Sequence, residues 1–302
     1  MRVLITGAGG FIGSHLVERC RELGYSVIGI DRKPLTSWLR GTKDLPGKLS
    51  EYSIDVTHLQ FADCLIYEEF DLCFHLAAES RIQPSFIRPV FYVMNNVQGT
   101  ANVLGLCACR SARMVYAGSS TADDDVAKNI YATTKLQGEM LCRAWSQCFD
   151  LQVNSARFFN VYGPRQIETG EYATVVGIFE RQYRSGGQLT VTGNGQHRRD
   201  FTAVEDIVEG LLAVAERGDG TGTTYALGRG RNWSILDVAR LFVDELHRIR
   251  FIPRPPGESE RTLCDVETTA REIGWRAERN LDQYIMNVKL TIDAARDQDV
   301  HT

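Results

Sequence analysis

Apolar residues along the chain fall into two rhythms. Near-continuous runs of strand length occur at 2–8 (RVLITGA), 26–32 (SVIGIDR), around 71–76 within LIYEEFDLCFHL, 113–120 (RMVYAGSS) and 151–163 (LQVNSARFFNVYG). Between them lie segments with apolar positions every three or four residues: 12–24 (IGSHLVERCRELG), 95–110 and 131–147. A strand buried on both faces has no polar side to alternate with. The runs therefore predict a parallel sheet, and the periodic segments its crossover helices. After Pro164 the alternation loosens, and 166–190 and 250–265 become rich in Gly, Pro and charge. RFIPRPPGESERT (250–262) reads as an exposed excursion. The pattern predicts an α/β chain: a doubly wound parallel sheet over 1–164, to which the chain returns around 200–230, and a smaller, mostly C-terminal α/β domain over 165–302.

Composition narrows the classes. With 302 residues, 43% apolar and 24% charged, the chain can bury a sizeable core. A net charge of −4 offers no basic field for nucleic acid or an anionic membrane. No apolar run approaches the roughly 20 residues of a membrane span, and MRVLITGAGGFIG breaks into glycines too early for a signal peptide. The eight cysteines (Cys20, Cys64, Cys73, Cys107, Cys109, Cys142, Cys148, Cys264) form no Cys-x-x-Cys and have no His cluster beside them. They read as reduced and mostly buried, with no metal site, in a cytoplasmic protein.

Two stretches carry candidate chemistry. Gly7, Gly10 and Gly13 stand between the first strand and a helix starting near Phe11. Glycines there let the backbone turn tightly against a pyrophosphate, at which the helix aims its free N–H groups and positive dipole end. Asp31 ends the second strand, placed to accept hydrogen bonds from both ribose hydroxyls of an adenosine. A 2′-phosphate would meet that carboxylate, so Asp31 favours NAD over NADP, a preference Arg32 and Lys33 weaken. The second stretch is Tyr131-x-x-x-Lys135, opening the helix after the fourth strand. Residues i and i+4 share a helix face, so the ammonium can lie beside the phenol. A phenol titrates near 10 and is a poor base at neutral pH. A cation ~5 Å away at an effective dielectric of ~20 contributes about 3 kcal/mol, roughly two pKa units.

TGAGGFIGSHL, with glycines spaced Gly-x-x-Gly-x-x-Gly, resembles the extended short-chain dehydrogenase/reductases that act on nucleotide sugars. DVT from Asp55, HLAAES from His75, NNVQGTANVL from Asn95, YATTK, RFFNVYGPRQ from Arg157 and GNGQHRRDFTAVEDI from Gly193 follow in the family's order, to about residue 290. The resemblance implies a Rossmann-type fold holding NAD through Gly7, Gly10, Phe11, Ile12, Gly13, Asp31, Arg32, Asp55, Val56, Leu76, Ala77, Ala78, Asn95, Ala117, Phe158, Tyr131 and Lys135. It implies Ser119, Tyr131 and Lys135 as catalytic residues. It places a nucleotide-diphosphate sugar against Ser119, Asn160, Val176 and Arg199, with Arg254 near the family's second arginine but out of its register.

Within that family the residues after Ser119 discriminate between reactions. The 4,6-dehydratases carry Asp-Glu there and decarboxylating members a Glu at the second position; here Ser120 and Thr121 stand instead. Ser-Ser-Thr is similar to the 4-epimerases of uridine-diphosphate sugars, in which Tyr131 would take the 4-hydroxyl proton as hydride passes to NAD. HLAAES has the look of the dehydratases, so a dehydratase or 4-keto reductase stays open, as does a non-catalytic NAD-binding scaffold. Only eleven residues separate Ser119 from Tyr131, about half the usual gap, and Asp123, Asp124 and Asp125 are among them. That triplet reads as a solvated turn rather than a metal site, and the pocket wall over the sugar should be lower or rebuilt from elsewhere. Apolar faces at Val97, Val103, Leu104, Leu106, Leu136, Met140, Leu141 and Trp145 predict a homodimer through paired helices.

Overall fold

The computed structural model describes residues 1–33, 44–58, 60–65, 67–122 and 128–300. Its first strands are β1 (Arg2–Thr6), β2 (Ser26–Asp31), β3 (Leu49–Ser53), β4 (Leu72–His75), β5 (Arg113–Ser119) and β6 (Val153–Phe158). They form one parallel sheet in the order β3-β2-β1-β4-β5-β6, and the Thr221–Leu227 strand adds a seventh beside β6. Side chains alternate across the sheet. Val3 and Ile5 of β1 enter the core on one face, Leu4 the core on the other. Helix Phe11–Glu22 and helix Val204–Arg217 cover the first face, through Leu16, Val17, Val208 and Leu211. Helices Gly99–Arg110 and Ile130–Phe149 cover the second, through Val103, Leu104, Leu106 and Cys142.

That packing corrects part of the reading of the helix faces. Val103, Leu104 and Leu106 lie inside this chain's own core, and Leu141 and Trp145 pack on it. Apolar surface is left instead at Ile87, Val90, Val93, Met94 and Met140, which are 77%, 70%, 44%, 48% and 59% exposed. The sequence pattern also missed β3, because LSEYS is an edge strand with little to bury.

A third core lies beyond the sheet, built from Phe179, Leu189, Val191, Val238, Phe242, Ile249 and Ile285 among others. Strands Leu189–Thr192 and Ile249–Ile252 pair in parallel there. The 250–262 stretch runs along the surface, as its composition suggested, with Thr262 alone buried, but it is tied down. The Pro256 carbonyl accepts from Gln83 Nε2 at 2.8 Å, the Gly257 carbonyl from Asn129 Nδ2 at 3.3 Å, and Gly257 packs against the Phe86 ring. This loop therefore ties the C-terminal unit to the short helix Ile82–Ile87 and to the start of the Ile130–Phe149 helix.

All eight cysteines are free, five of them buried; Cys64, Cys109 and Cys148 are exposed. Among the described residues, no helix is long and apolar enough to cross a membrane, and no cluster could hold a metal ion.

Candidate active site

The chain winds one way from β1 through β3 and the other way from β4 onward. Such a reversal leaves a crevice at the carboxyl ends of the two central strands. A cleft of about 1050 Å³ opens there.

One end is built for a dinucleotide. Gly7 has a φ of +72°, and a Cβ on it would lie 2.7 Å from the Ala77 nitrogen. A Cβ on Gly13 would lie 2.0 Å from the Gly7 carbonyl oxygen. No side chain caps helix Phe11–Glu22, so its first-turn N–H groups are left for a ligand. The Asp31 carboxylate accepts from Gly9 N at 3.1 Å and Lys33 N at 3.2 Å, which fixes it at the cleft wall. Arg32 is drawn aside: its guanidinium pairs with Glu79 at 2.5 Å and lies 5.5 Å from the centre of the Phe91 ring. Phe11, Ile12, Val56, Leu76, Ala77, Ala78, Asn95, Ala117 and Phe158 line the same cleft. An uncapped helix start, a cradle without Cβ atoms and a ribose-facing carboxylate fit NAD. Asp55 stands one residue off the lining and accepts from Thr57 N at 2.9 Å.

At the other end the catalytic candidates converge. Ser119 ends β5, 7% exposed, with its hydroxyl 3.0 Å from that of Thr121. Asn129 caps the next helix, its side-chain oxygen accepting from Ala132 N at 2.8 Å, and so fixes where Tyr131 and Lys135 emerge. Burial pushes the Tyr131 phenol up; the nearby Ser119 hydroxyl and the Arg81 charge pull it down. Lys135 is anchored on β5. Its ammonium, 4% exposed, donates to the Ala117 carbonyl at 2.8 Å and lies 5.0 Å from the centre of the Tyr116 ring. Burial lowers it to about 8, with Glu139 working the other way. Beneath, His75 is clamped between Thr6 Oγ1 at 2.7 Å and Thr100 Oγ1 at 3.0 Å, and burial holds it neutral, down to about 3.

The diphosphate candidates are placed unevenly. Asn160 lines the cleft, donating to the Asp200 carbonyl at 3.0 Å and to Thr262 Oγ1 at 3.2 Å. Arg199 also lines it and pairs with Glu258 at 2.9 Å. Arg254 does not; it is turned onto Glu260 and the Glu258 and Ser259 carbonyls. Val176 is buried in the third core, away from the cleft. Asp123, Asp124 and Asp125 fall outside the described residues.

Sequence reading missed a polar group at the sugar end. A single π-turn at Met94–Gln98 turns Asn96 inward, where it bonds both the Glu79 N–H (2.7 Å) and the Glu79 carbonyl (3.0 Å). Glu79 then receives Arg32 and the Tyr172 hydroxyl, and Arg88 joins Tyr172 and Glu171. Arg81 donates its Nε to the Tyr172 carbonyl at 3.0 Å. The available signal was two charges, Glu79 and Arg81, within six residues of the end of an apolar strand, at the end where ligands bind.

A profile of the NAD dependent epimerase/dehydratase family matches residues 3–228. The chain is 33% identical, over 88% of its length and 90% of the relative's, to an uncharacterized UDP-glucose epimerase, YtcB, from Bacillus subtilis. Pal from Bacillus thuringiensis superposes with a TM-score of 0.89 at 25% identity, covering 98% of this chain and all of that one. MoeE5, solved with UDP-glucuronic acid and NAD, does so with a TM-score of 0.85 at 29% identity, covering 97% and 100%. Other relatives are UDP-glucuronic acid decarboxylases and trifunctional enzymes with a UDP-glucose 4,6-dehydratase activity. Two of these, from Arabidopsis thaliana, are each 28% identical, over 94% and 96% of this chain and over 66% and 46% of their own lengths. With its glycine cradle, its Asp31 wall and its Ser119–Tyr131–Lys135 cluster, the chain belongs to the NAD-dependent epimerase/dehydratase family, enzymes that modify nucleotide sugars with NAD as cofactor.

Proposed function

We propose that this protein epimerises a nucleotide-diphosphate sugar at carbon 4 through a transient 4-keto sugar. One observation carries the reading: among the described residues, apart from Tyr131 and its hydroxyl neighbours, the sugar end offers no free acid. Ser120 and Thr121 follow Ser119, and neither exchanges a proton near neutral pH. Among the described residues each glutamate lining the cleft is bound to an arginine: Glu79 to Arg32, Glu171 to Arg88, Glu258 to Arg199. A held carboxylate accepts hydrogen bonds but has no proton to give a leaving hydroxyl. Loss of water from the sugar needs such an acid; epimerisation does not.

Bound NAD supplies the reversible hydride exchange. Tyr131 would take the proton of the 4-hydroxyl as the ring is oxidised and return it to the same oxygen once the 4-keto sugar has turned its other face to the cofactor. Ser119 positions that oxygen. Lys135, bonded to the end of β5, keeps a positive charge beneath the nicotinamide end of the cleft. Asn160 and Arg199 take the diphosphate. Residues 1–164 act as the cofactor unit and 165–302 mainly as the substrate unit. Two chains pair through Ile87, Val90, Val93, Met94 and Met140, an isologous apolar face; a monomer mass by light scattering at micromolar concentration would remove the dimer.

The test is a product assay. NAD-loaded protein is incubated with UDP-, GDP-, dTDP- and CDP-sugars, and products are assigned by NMR and mass spectrometry. A 4-epimer of unchanged mass is the expected result. A product lighter by water or carbon dioxide would replace epimerisation with dehydration or decarboxylation.

A further inference from the structure

We propose that Arg81 seats an anionic group on the substrate sugar, so that the preferred nucleotide sugar carries a carboxylate at carbon 6. This rests on the nucleotide-sugar reading above and names the class of sugar.

Arg81 follows the end of β4 with φ 81° and ψ 146°, backbone that glycine adopts with ease and other residues seldom do. Such a conformation is unfavourable for a residue with a Cβ and persists where the surroundings over-determine it. Here they do. The Nε bond to the Tyr172 carbonyl fixes the side chain, and helix Ile82–Ile87 starts at the next residue. That bond uses Nε alone. Among the described residues, the two terminal nitrogens of Arg81 have no hydrogen-bond or ion-pair partner, and the residue lines the cleft. The nearby carboxylates are committed elsewhere: Glu79 to Arg32, Glu171 to Arg88, Glu258 to Arg199. Half-buried, the guanidinium is held at a cost: burial works against its charge, and Glu258, itself paired with Arg199, offsets that only in part. Its planar fork fits a carboxylate through two parallel bonds.

Position selects which anion. Arg81 stands beside Tyr131: the Tyr131 ring meets Tyr92 edge-on at 6.4 Å, and the Tyr92 hydroxyl donates at 2.6 Å to the carbonyl of Ser80, the residue before Arg81. With the 4-hydroxyl on that phenol, the substituents flanking it on a hexopyranose are the 3-hydroxyl and the group at carbon 6, and of the two only the carbon 6 group can be a carboxylate. The diphosphate, on carbon 1, lies across the ring from carbon 4. Arg199 and Asn160 are the groups left to meet it.

The decisive variant is Arg81→Gly, because glycine adopts this backbone without strain while the guanidinium is removed. NAD-loaded wild type and variant are titrated calorimetrically with UDP-glucuronic acid, UDP-glucose and UDP. Wild type is expected to bind UDP-glucuronic acid more tightly than UDP-glucose by roughly 10- to 100-fold, the usual worth of a charge-assisted hydrogen-bonded pair. In Arg81→Gly that ratio should fall to about 1, and Arg81→Lys should restore part of it. Equal affinities in wild type overturn the proposal. So does a variant that weakens UDP as much as UDP-glucuronic acid, which would put Arg81 on the phosphates. The product assay separates the two readings. Epimerisation confined to neutral sugars sinks this inference alone. Tight binding of the uronate with loss of carbon dioxide sinks the epimerase and leaves Arg81 in its role.

Discussion

Tyr131 reaches the cleft as a phenol that burial disfavours ionising, relieved by Ser119 and Arg81. Removing its oxygen leaves the packing intact, since the ring meets Tyr92 edge-on at 6.4 Å. Tyr131→Phe is therefore expected to melt and bind NAD as wild type does, and to slow turnover by ~10²–10⁴, the worth of positioned acid–base catalysis. Retention of more than about half the activity would take proton transfer away from this residue. His75 gives a second expectation, on stability. Its pKa falls from 6.5 in the unfolded chain to about 3 in the buried site. Between those values the unfolded chain binds a proton that the folded one refuses, so stability rises with pH across this window. The contribution is complete above about 6.5 and drains away as pH falls toward 3. Urea melts at pH 4.5 and pH 7 should differ for wild type, and the difference should shrink in His75→Gln. An unchanged pH dependence in that variant would mean that other groups set the acid limit.

The Ile130–Phe149 helix lies on β5 at one close contact. A Cβ on Gly138 would sit 2.1 Å from the Tyr116 hydroxyl, itself buried. Gly138→Ala is expected to cost about 1–3 kcal/mol by overpacking. Tyr116→Leu removes the hydroxyl, Cζ and Cε1 that would stand 2.1, 2.4 and 3.0 Å from that Cβ, so the double variant should lose less than the two single variants summed, a coupling that a denaturation cycle measures. Additive losses would show that the helix yields elsewhere. At this scale the chain was largely legible. The strands that form the sheet's middle are buried on both faces and announced themselves as apolar runs; β3, half open to water, did not. The Gly7 and Gly13 cradle was legible because only glycine fits it. Arg81 and Glu79 were not, because a charged residue after a strand reads as surface until tertiary contacts enclose it. Lys135 was placed one turn from Tyr131 correctly, yet helix spacing does not say that the Ala117 carbonyl claims its ammonium.

The sheet is completed late in the chain. Its edge strand, Thr221–Leu227, pairs with β6, which ends at Phe158, and the Val204–Arg217 helix that covers one face lies in the same return. A fragment ending at residue 164 would carry β6 as an open edge and would bare Leu16, Val17 and the Val3 side of β1. Size-exclusion chromatography should find that fragment aggregated where the full chain is monodisperse; a soluble 1–164 fragment that binds NAD would show the N-terminal unit to be self-sufficient. The same topology sets a schedule during synthesis. About seventy residues separate the end of β6 from the end of its covering strand. At ~5–20 residues per second the ribosome takes roughly 3–14 s to deliver them. For that interval the nascent chain presents six finished strands and one sticky flank, which is the span in which a chaperone at the exit tunnel would find something to hold.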